Sequence, residues 1–253
     1  MRWLKKTVAR LFRWAIALAL IPILWSVCHR VMLMAPLVAG GGLQVWGFYA
    51  LGVGGYVLIE RAVAKPMWLY VFGHELTHAV TGLLSGAKLH SFRASSKGGE
   101  VELSKSNVVI ALSPYVVPLY AVLLVVAYAA TRRWWNPPAL APVFQTLLGA
   151  AIAFHFSLTF SAIHSRQSDL KVVGFVLSGT TIALGNALIL GLLAVSLFSK
   201  TPTLRQFAVE TTRETGRIYV RGLQEISAGF NRLNAPPASG LTAKKDRTTA
   251  WTR

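Results

Sequence analysis

Six runs of apolar residues restrict this chain more than any other feature. They cover residues 11–27, a stretch between 31 and 59, then 66–84, 108–129, 141–163 and 172–198. Each is close to the roughly 20 residues that a helix needs to cross a bilayer. Lipid offers backbone N–H and C=O groups no water to bond, so runs of this kind must satisfy themselves as helices. The reading is an all-α polytopic membrane protein with about six transmembrane helices. Only 14% of residues are charged, 54% are apolar, and mean hydropathy is +0.51. A soluble domain carries about a quarter charged residues. The single cysteine, Cys28, excludes an internal disulfide and a cysteine-built metal site.

The net charge of +17 would by itself suggest nucleic acid. The basic residues, however, sit at the two ends and in short loops between apolar runs, where orientation signals lie. The expected partner is therefore the lipid bilayer, with no nucleic acid. Six crossings from a cytoplasmic N-terminus leave 19 Lys and Arg on the N-terminal side and 7 on the other. That asymmetry predicts an integral protein of a bacterial cytoplasmic membrane with both termini cytoplasmic.

Residues 1–30 then form a basic N-terminus and first helix. The stretch resembles a signal peptide, but Trp25-Ser26-Val27-Cys28 offers a poor cleavage site, so it is read as uncleaved. Residues 31–198 form the membrane-embedded core, whose second run carries Gly52, Gly54 and Gly55 for packing or gating. Residues 199–234 repeat apolar positions every three or four with arginines between them. This predicts an amphipathic cytoplasmic helix, lying on the membrane surface or packed on protein. Residues 235–253, rich in Pro, Ser, Gly, Thr and Lys, read as a disordered basic tail.

The third run carries Gly73-His74-Glu75-Leu76-Thr77-His78. Residues four apart lie one turn above each other on a helix, so His74 and His78 can offer imidazole nitrogens to one Zn2+ ion. Glu75 stands beside the first of them and reaches a metal-bound water as a general base. With 6 His in 253 residues, this pattern is expected by chance roughly 0.004 times. In a bilayer a lone ionised side chain costs about 2.5–3.5 kcal/mol. A bound metal offsets such a cost, whereas packing does not.

A catalytic zinc usually has three protein ligands and one open position. The third donor must come from Asp169, Glu100, Glu102 or another histidine, because acids are scarce here. Asp169 is favoured, since it lies in the polar stretch His164-Ser165-Arg166-Gln167-Ser168-Asp169 between two apolar runs. Its plainer role is a helix cap or a partner of Arg166. His155 reads as an interhelical polar residue, His164 is ambiguous, and His29 and His90 read as boundary or loop residues. Two alternating runs around Ser95-Ser96-Lys97-Gly98-Gly99 predict a β-hairpin over 89–103.

The run Phe72-Gly73-His74-Glu75-Leu76-Thr77-His78-Ala79, with Gly82 and Gly86 after it, resembles the first motif of the site-2 protease family of intramembrane zinc metallopeptidases. Gly98-Gly99-Glu100-Val101 and Leu112-Ser113-Pro114-Tyr115 extend the resemblance towards a divergent branch, over about residues 66–190. It implies His74, His78 and Asp169 as zinc ligands, Glu75 as the base and residues 31–198 as a metallopeptidase core. The implied substrate is a membrane-anchored protein, docked on the hairpin. This chain departs from the family in having Thr77 before the second His and Leu170 after the Asp. Family members also commonly turn the hairpin to the cytosol, whereas six crossings put it outside. The competing expectations are a zinc hydrolase acting on lipid-linked or small amide substrates, and a non-catalytic metal-binding scaffold or transporter.

Overall fold

The computed structural model describes residues 2–39, 43–63, 65–164, 167–198 and 203–234. These residues are mostly helical, with one small antiparallel sheet. In chain order the elements are α1 (Arg2–Ala39), α2 (Leu43–Ala62), α3 (Met67–Leu84), β1 (Leu89–Ser95), β2 (Gly98–Leu103), α4 (Val108–Val116), α5 (Leu119–Trp134), α6 (Leu140–His164), α7 (Ser168–Val173), α8 (Phe175–Phe198) and α9 (Leu204–Leu233). The chain forms two units, Met1–Thr215 and Gly216–Arg253. The second holds the C-terminal half of α9, whose Leu223, Ile226 and Phe230 are exposed on an apolar stripe. The tail expected at 235–253 lies outside the described residues.

Three helical stretches are long and apolar enough to cross a membrane: Lys6–Met34, Leu140–His164 and Phe175–Val195. A fourth arises if α4 and α5, bent by 69° at their junction, count as one span. The six expected spans are therefore reduced to three or four candidates among the described residues. The bend has a local cause. Pro118 cannot continue a hydrogen-bonded helix, and it pushes Val117 to an extended conformation (φ −87°, ψ 110°). A second break falls at Gly174, whose φ of +96° suits glycine. It separates α7 from α8 inside what reads in sequence as one run. The α3 segment is diluted by its own His, Glu and Thr residues and is not among the candidates. In contrast, α1 runs on through His29 and Arg30. These residues keep helical geometry because Glu214 and Glu210 of α9 pair with them at 2.6–3.0 Å.

Two helix pairs set the architecture, and both are parallel. Along α1 and α8, Arg13 lies against Gly174, and Val31 against Gly191. Met34, Val195 and Phe207 close the far end of this pair. Along α2 and α6, Tyr49 meets Gly149, Tyr56 meets Phe154 edge-on, and Glu60 accepts from the Ser157 hydroxyl. Glycine makes the second pair possible. A Cβ at Gly52 would sit 1.9 Å from the Thr146 carbonyl oxygen, and one at Gly149 would sit 2.3 Å from that of Tyr49. Small residues let membrane helices approach backbone to backbone in this way. Gly54 and Gly55 have open space instead, so only Gly52 of the expected three packs closely.

The parallel α1/α8 pair corrects the expected orientation. The start of α1 and the start of α9 lie at opposite ends of that pair, since Arg13 neighbours Gly174 while Phe207 packs with Met34. Arg205 and Arg213, counted with the N-terminus in a six-span scheme, belong to the other end. The charge asymmetry that placed both termini on one side assumed six crossings, and neither α2 nor α3 is among the candidate spans.

Gly149→Ala should lower the thermal midpoint of the purified protein, by overpacking on the order of 1–3 kcal/mol. Gly54→Ala should leave it unchanged, and equal melting of the two variants would refute the proposed helix contact. In a Cys28→Ser background, single cysteines at positions 3 and 97 should label from the same side of sealed vesicles with an impermeant thiol reagent. A cysteine at 213 should label from the other side. Same-side labelling of 3 and 213 would reject the parallel arrangement.

Candidate metal centre

The α3 helix carries His74 and His78 on one face, with ring centroids 4.8 Å apart. Its other contacts fix its rotation. Phe72 meets Phe92 of β1 edge-on, Gly73 lies against the Tyr120 ring, and Gly82 receives the Leu103 methyls of β2. The Thr77 hydroxyl donates to the Gly73 carbonyl at 2.7 Å, so this buried polar side chain is satisfied within the helix.

Asp169 enters from the first turn of α7, five positions past the end of α6. Its Oδ2 lies 3.5 Å from His74 Nε2 and 3.6 Å from His78 Nε2. The three ligand atoms all fall within 4.8 Å of one another. This group could hold a metal ion. The donor chemistry supports that fit. His78 Nδ1 faces the Ile110 carbonyl at 2.8 Å, an acceptor only, so Nδ1 carries the proton. A neutral ring then aims the Nε2 lone pair at a carboxylate, and two acceptors face each other. A cation shared by the three atoms resolves this, as does a second ring proton. The spacings exceed a normal hydrogen bond. They resemble the edge of a tetrahedron with metal–ligand bonds of about 2.0–2.2 Å, which is roughly 3.3–3.6 Å.

Around this group a positioning network runs inward. The Tyr115 hydroxyl donates to Asp169 Oδ2 at 2.9 Å, and Tyr115 is 1% exposed. Burial works against charge on Asp169, but in the metal-free protein Nε2 protons on His74 and His78, together with the Tyr115 hydroxyl, hold its carboxyl well below the ordinary carboxylate range. Asn186 of α8 donates to the Tyr115 carbonyl at 2.8 Å and to that of Ile182, and its side-chain oxygen accepts from His155 Nε2 at 3.0 Å. Asn186 thus clamps the backbone next to the Pro118 break, where regular helix bonding ends. Comparison of the chain with protein-family models, with curated proteins and with solved structures gives no match. The geometry therefore stands alone as evidence about this site.

Glu75 lies beside the group, not within it. A Cβ on Gly99 would come within 2.5 Å of the Glu75 Cγ, so β2 passes this side chain at the one residue able to approach it. A cavity of about 470 Å3 opens there, lined by His74, Glu75, His78 and Asp169 on one side and by 99–103 of β2 on the other. The hairpin has the expected position and a Ser96-Lys97 turn, with Phe92 opposite Val101 and Arg93 opposite Glu100. Its β2 strand pairs on one edge only.

Of the other candidates, Glu100 and Glu102 line the cavity without joining the three-atom group. Gln167 and Ser168 also line it. His155 is bound to Asn186, His164 stacks on Phe160 at the end of α6, and His29 pairs with Glu214. Arg166, the alternative partner for Asp169, lies outside the described residues. Sequence reasoning missed Tyr115 as a support of Asp169, and it missed Asn186 altogether. The available signal for Asn186 was an amide inside an apolar run.

Purified protein should bind one divalent transition ion per chain. His74→Ala, His78→Ala and Asp169→Ala should each weaken binding by more than roughly 100-fold, and Tyr115→Phe by about 10–100-fold, as for outer-shell partners of metal ligands. Titration against a chromogenic chelator measures this. Full retention in Asp169→Ala would remove that residue from the site.

Proposed function

We propose that this chain is an intramembrane zinc metallopeptidase, similar in plan to the site-2 protease family, that hydrolyses a peptide bond of a membrane-anchored protein. The observation that carries the reading is the convergence of His74, His78 and Asp169 beside Glu75, in a cavity walled by a singly paired β-strand. The donor set favours zinc: two imidazoles and one carboxylate suit a borderline ion, whereas magnesium and calcium prefer oxygen.

His74, His78 and Asp169 would hold the ion. Zinc in such a site supplies Lewis acidity, which brings the pKa of a water towards neutrality and polarises a carbonyl. Glu75 takes the proton from the attacking water and delivers it to the leaving amine nitrogen. Tyr115 keeps the Asp169 carboxylate turned to the two imidazoles. The His78 tautomer is held by the Ile110 carbonyl, which leaves Nε2 free to act as a ligand.

A transmembrane substrate must give up helix hydrogen bonds before its scissile bond can be reached, and unpaired backbone in lipid is costly. The outer edge of β2 offers N–H and C=O groups that take up an extended peptide as an added strand. Gly99 lets that strand run within reach of Glu75. Leu170 and Val173 of α7 pack in one cluster with Ala17, and Gly174 lies against Arg13, so the site neighbours the N-terminal half of α1. The five basic residues that open the chain then argue for a cytosol-facing active site.

Glu75→Gln should keep its metal and lose roughly 10²–10⁴ of the cleavage rate, the usual contribution of a general base. Cleavage of a membrane-anchored reporter by purified protein, stripped of metal and reloaded with zinc or magnesium, measures this. Undiminished turnover by Glu75→Gln would end the assigned role. Equal activity with magnesium would end the assignment of zinc.

A further inference from the structure

The acids of this chain are few and unevenly placed. There are 9 Asp and Glu against 26 Lys and Arg, yet Glu75, Glu100, Glu102 and Asp169 all line the one cavity. No Lys or Arg lines it among the described residues. Two of these carboxylates are accounted for by the metal group and its neighbouring base. Glu100 and Glu102 are not. Both are exposed on β2, and Glu100 makes no hydrogen bond or ion pair among the described residues, although Arg93 stands opposite it in the hairpin register. Glu102 accepts only a long 3.4 Å bond from Ser91.

Strand geometry gives the pair a meaning. Residues two apart on a strand point to the same face. Glu100 and Glu102 therefore project together, on the face turned away from α3, while Gly99 and Leu103 face α3. A peptide added to the outer edge of β2 would set one of its own side chains directly opposite each of them. Directly opposed charges across a strand pair attract when opposite and repel when like.

We propose that Glu100 and Glu102 determine specificity, selecting substrates with Lys or Arg at two alternate positions, with one residue between them. These positions lie one and three residues from the point that passes Gly99 and Glu75. The inference rests on the strand-addition part of the proposed function. It also gives a use to a cleft that gathers four of the chain's nine acids: a basic segment flanking a transmembrane helix is drawn to it, and an acidic one is repelled.

The test uses a library of peptides in which seven random residues precede a fixed apolar helix, reconstituted with the zinc-loaded Glu75→Gln protein. Captured peptides are sequenced. Lys and Arg should be enriched about two- to fivefold at each of two alternate positions, the range that cross-strand charge pairs allow. Enrichment should vanish in the Glu75→Gln, Glu100→Gln, Glu102→Gln variant. It should turn towards Asp and Glu in the Glu75→Gln, Glu100→Lys, Glu102→Lys variant. Zinc content equal to that of Glu75→Gln shows that the triple variant retains its fold. Capture no better than a protein-free control, flat capture, or enrichment that survives the triple variant overturns the inference. Cleavage of the same library by the wild type is scored separately. Flat cleavage removes the charge rule and leaves the peptidase reading, whereas basic capture without cleavage removes the peptidase reading and leaves the charge rule.

Discussion

A carboxylate 3.5–3.6 Å from two imidazoles ties the rest of this molecule together. The imidazoles belong to one helix and the carboxylate to another, almost a hundred residues later in the chain. Holding them together inside an apolar bundle means burying groups that water would otherwise solvate, and that is tolerated only when each has a partner. Each has one. Ile110 holds His78, Tyr115 holds Asp169, and Asn186 holds the backbone that carries Tyr115. The break before Pro118 is part of this scheme. It ends α4 early and frees the Tyr115 carbonyl for Asn186.

The scaffold reaches that arrangement through two parallel helix pairs, which consecutive antiparallel hairpins of helices would not produce. The α1/α8 pair brings Arg13 and Ala17 of α1 to α7, whose first turn carries Asp169. The α2/α6 pair depends on Gly52 and Gly149, each against a carbonyl of the other helix. Charge counting along the sequence misread the orientation for a physical reason. It treated every apolar run as one crossing, but the α3 run spends part of its length on His, Glu and Thr residues and is not apolar enough to qualify. The α2 run is not among the candidate spans either, and each run wrongly counted as a crossing inverts the side of everything after it.

The hairpin is the only sheet among the described residues, and it serves as a wall. One face rests on α3 through Phe92, Gly99 and Leu103. The other face carries charge, and the outer edge of β2 is unpaired. An unpaired edge is normally a liability that proteins cover or blunt. Here it borders the cavity that holds His74, Glu75 and His78, the place where the proposed added strand would lie.

The residues of α3 were legible from sequence because their relation is local: a helix of 3.6 residues per turn places His74 over His78 whatever surrounds it. The hairpin was legible for the same reason, from alternation and a glycine turn. Asp169 could be singled out by scarcity and polarity, but its approach to both rings depends on how α7 folds back after α6. Tyr115, Asn186 and the parallel pairing were not legible. Tyr115 reads as one more aromatic in an apolar run, and Asn186 as one isolated amide. Direction of packing leaves no mark in composition, since apolar faces fit each other in either sense. Local periodicity thus determined which side chains could share a metal, and only long-range packing decided which carboxylate meets them, what holds it there and which end of the bundle they occupy.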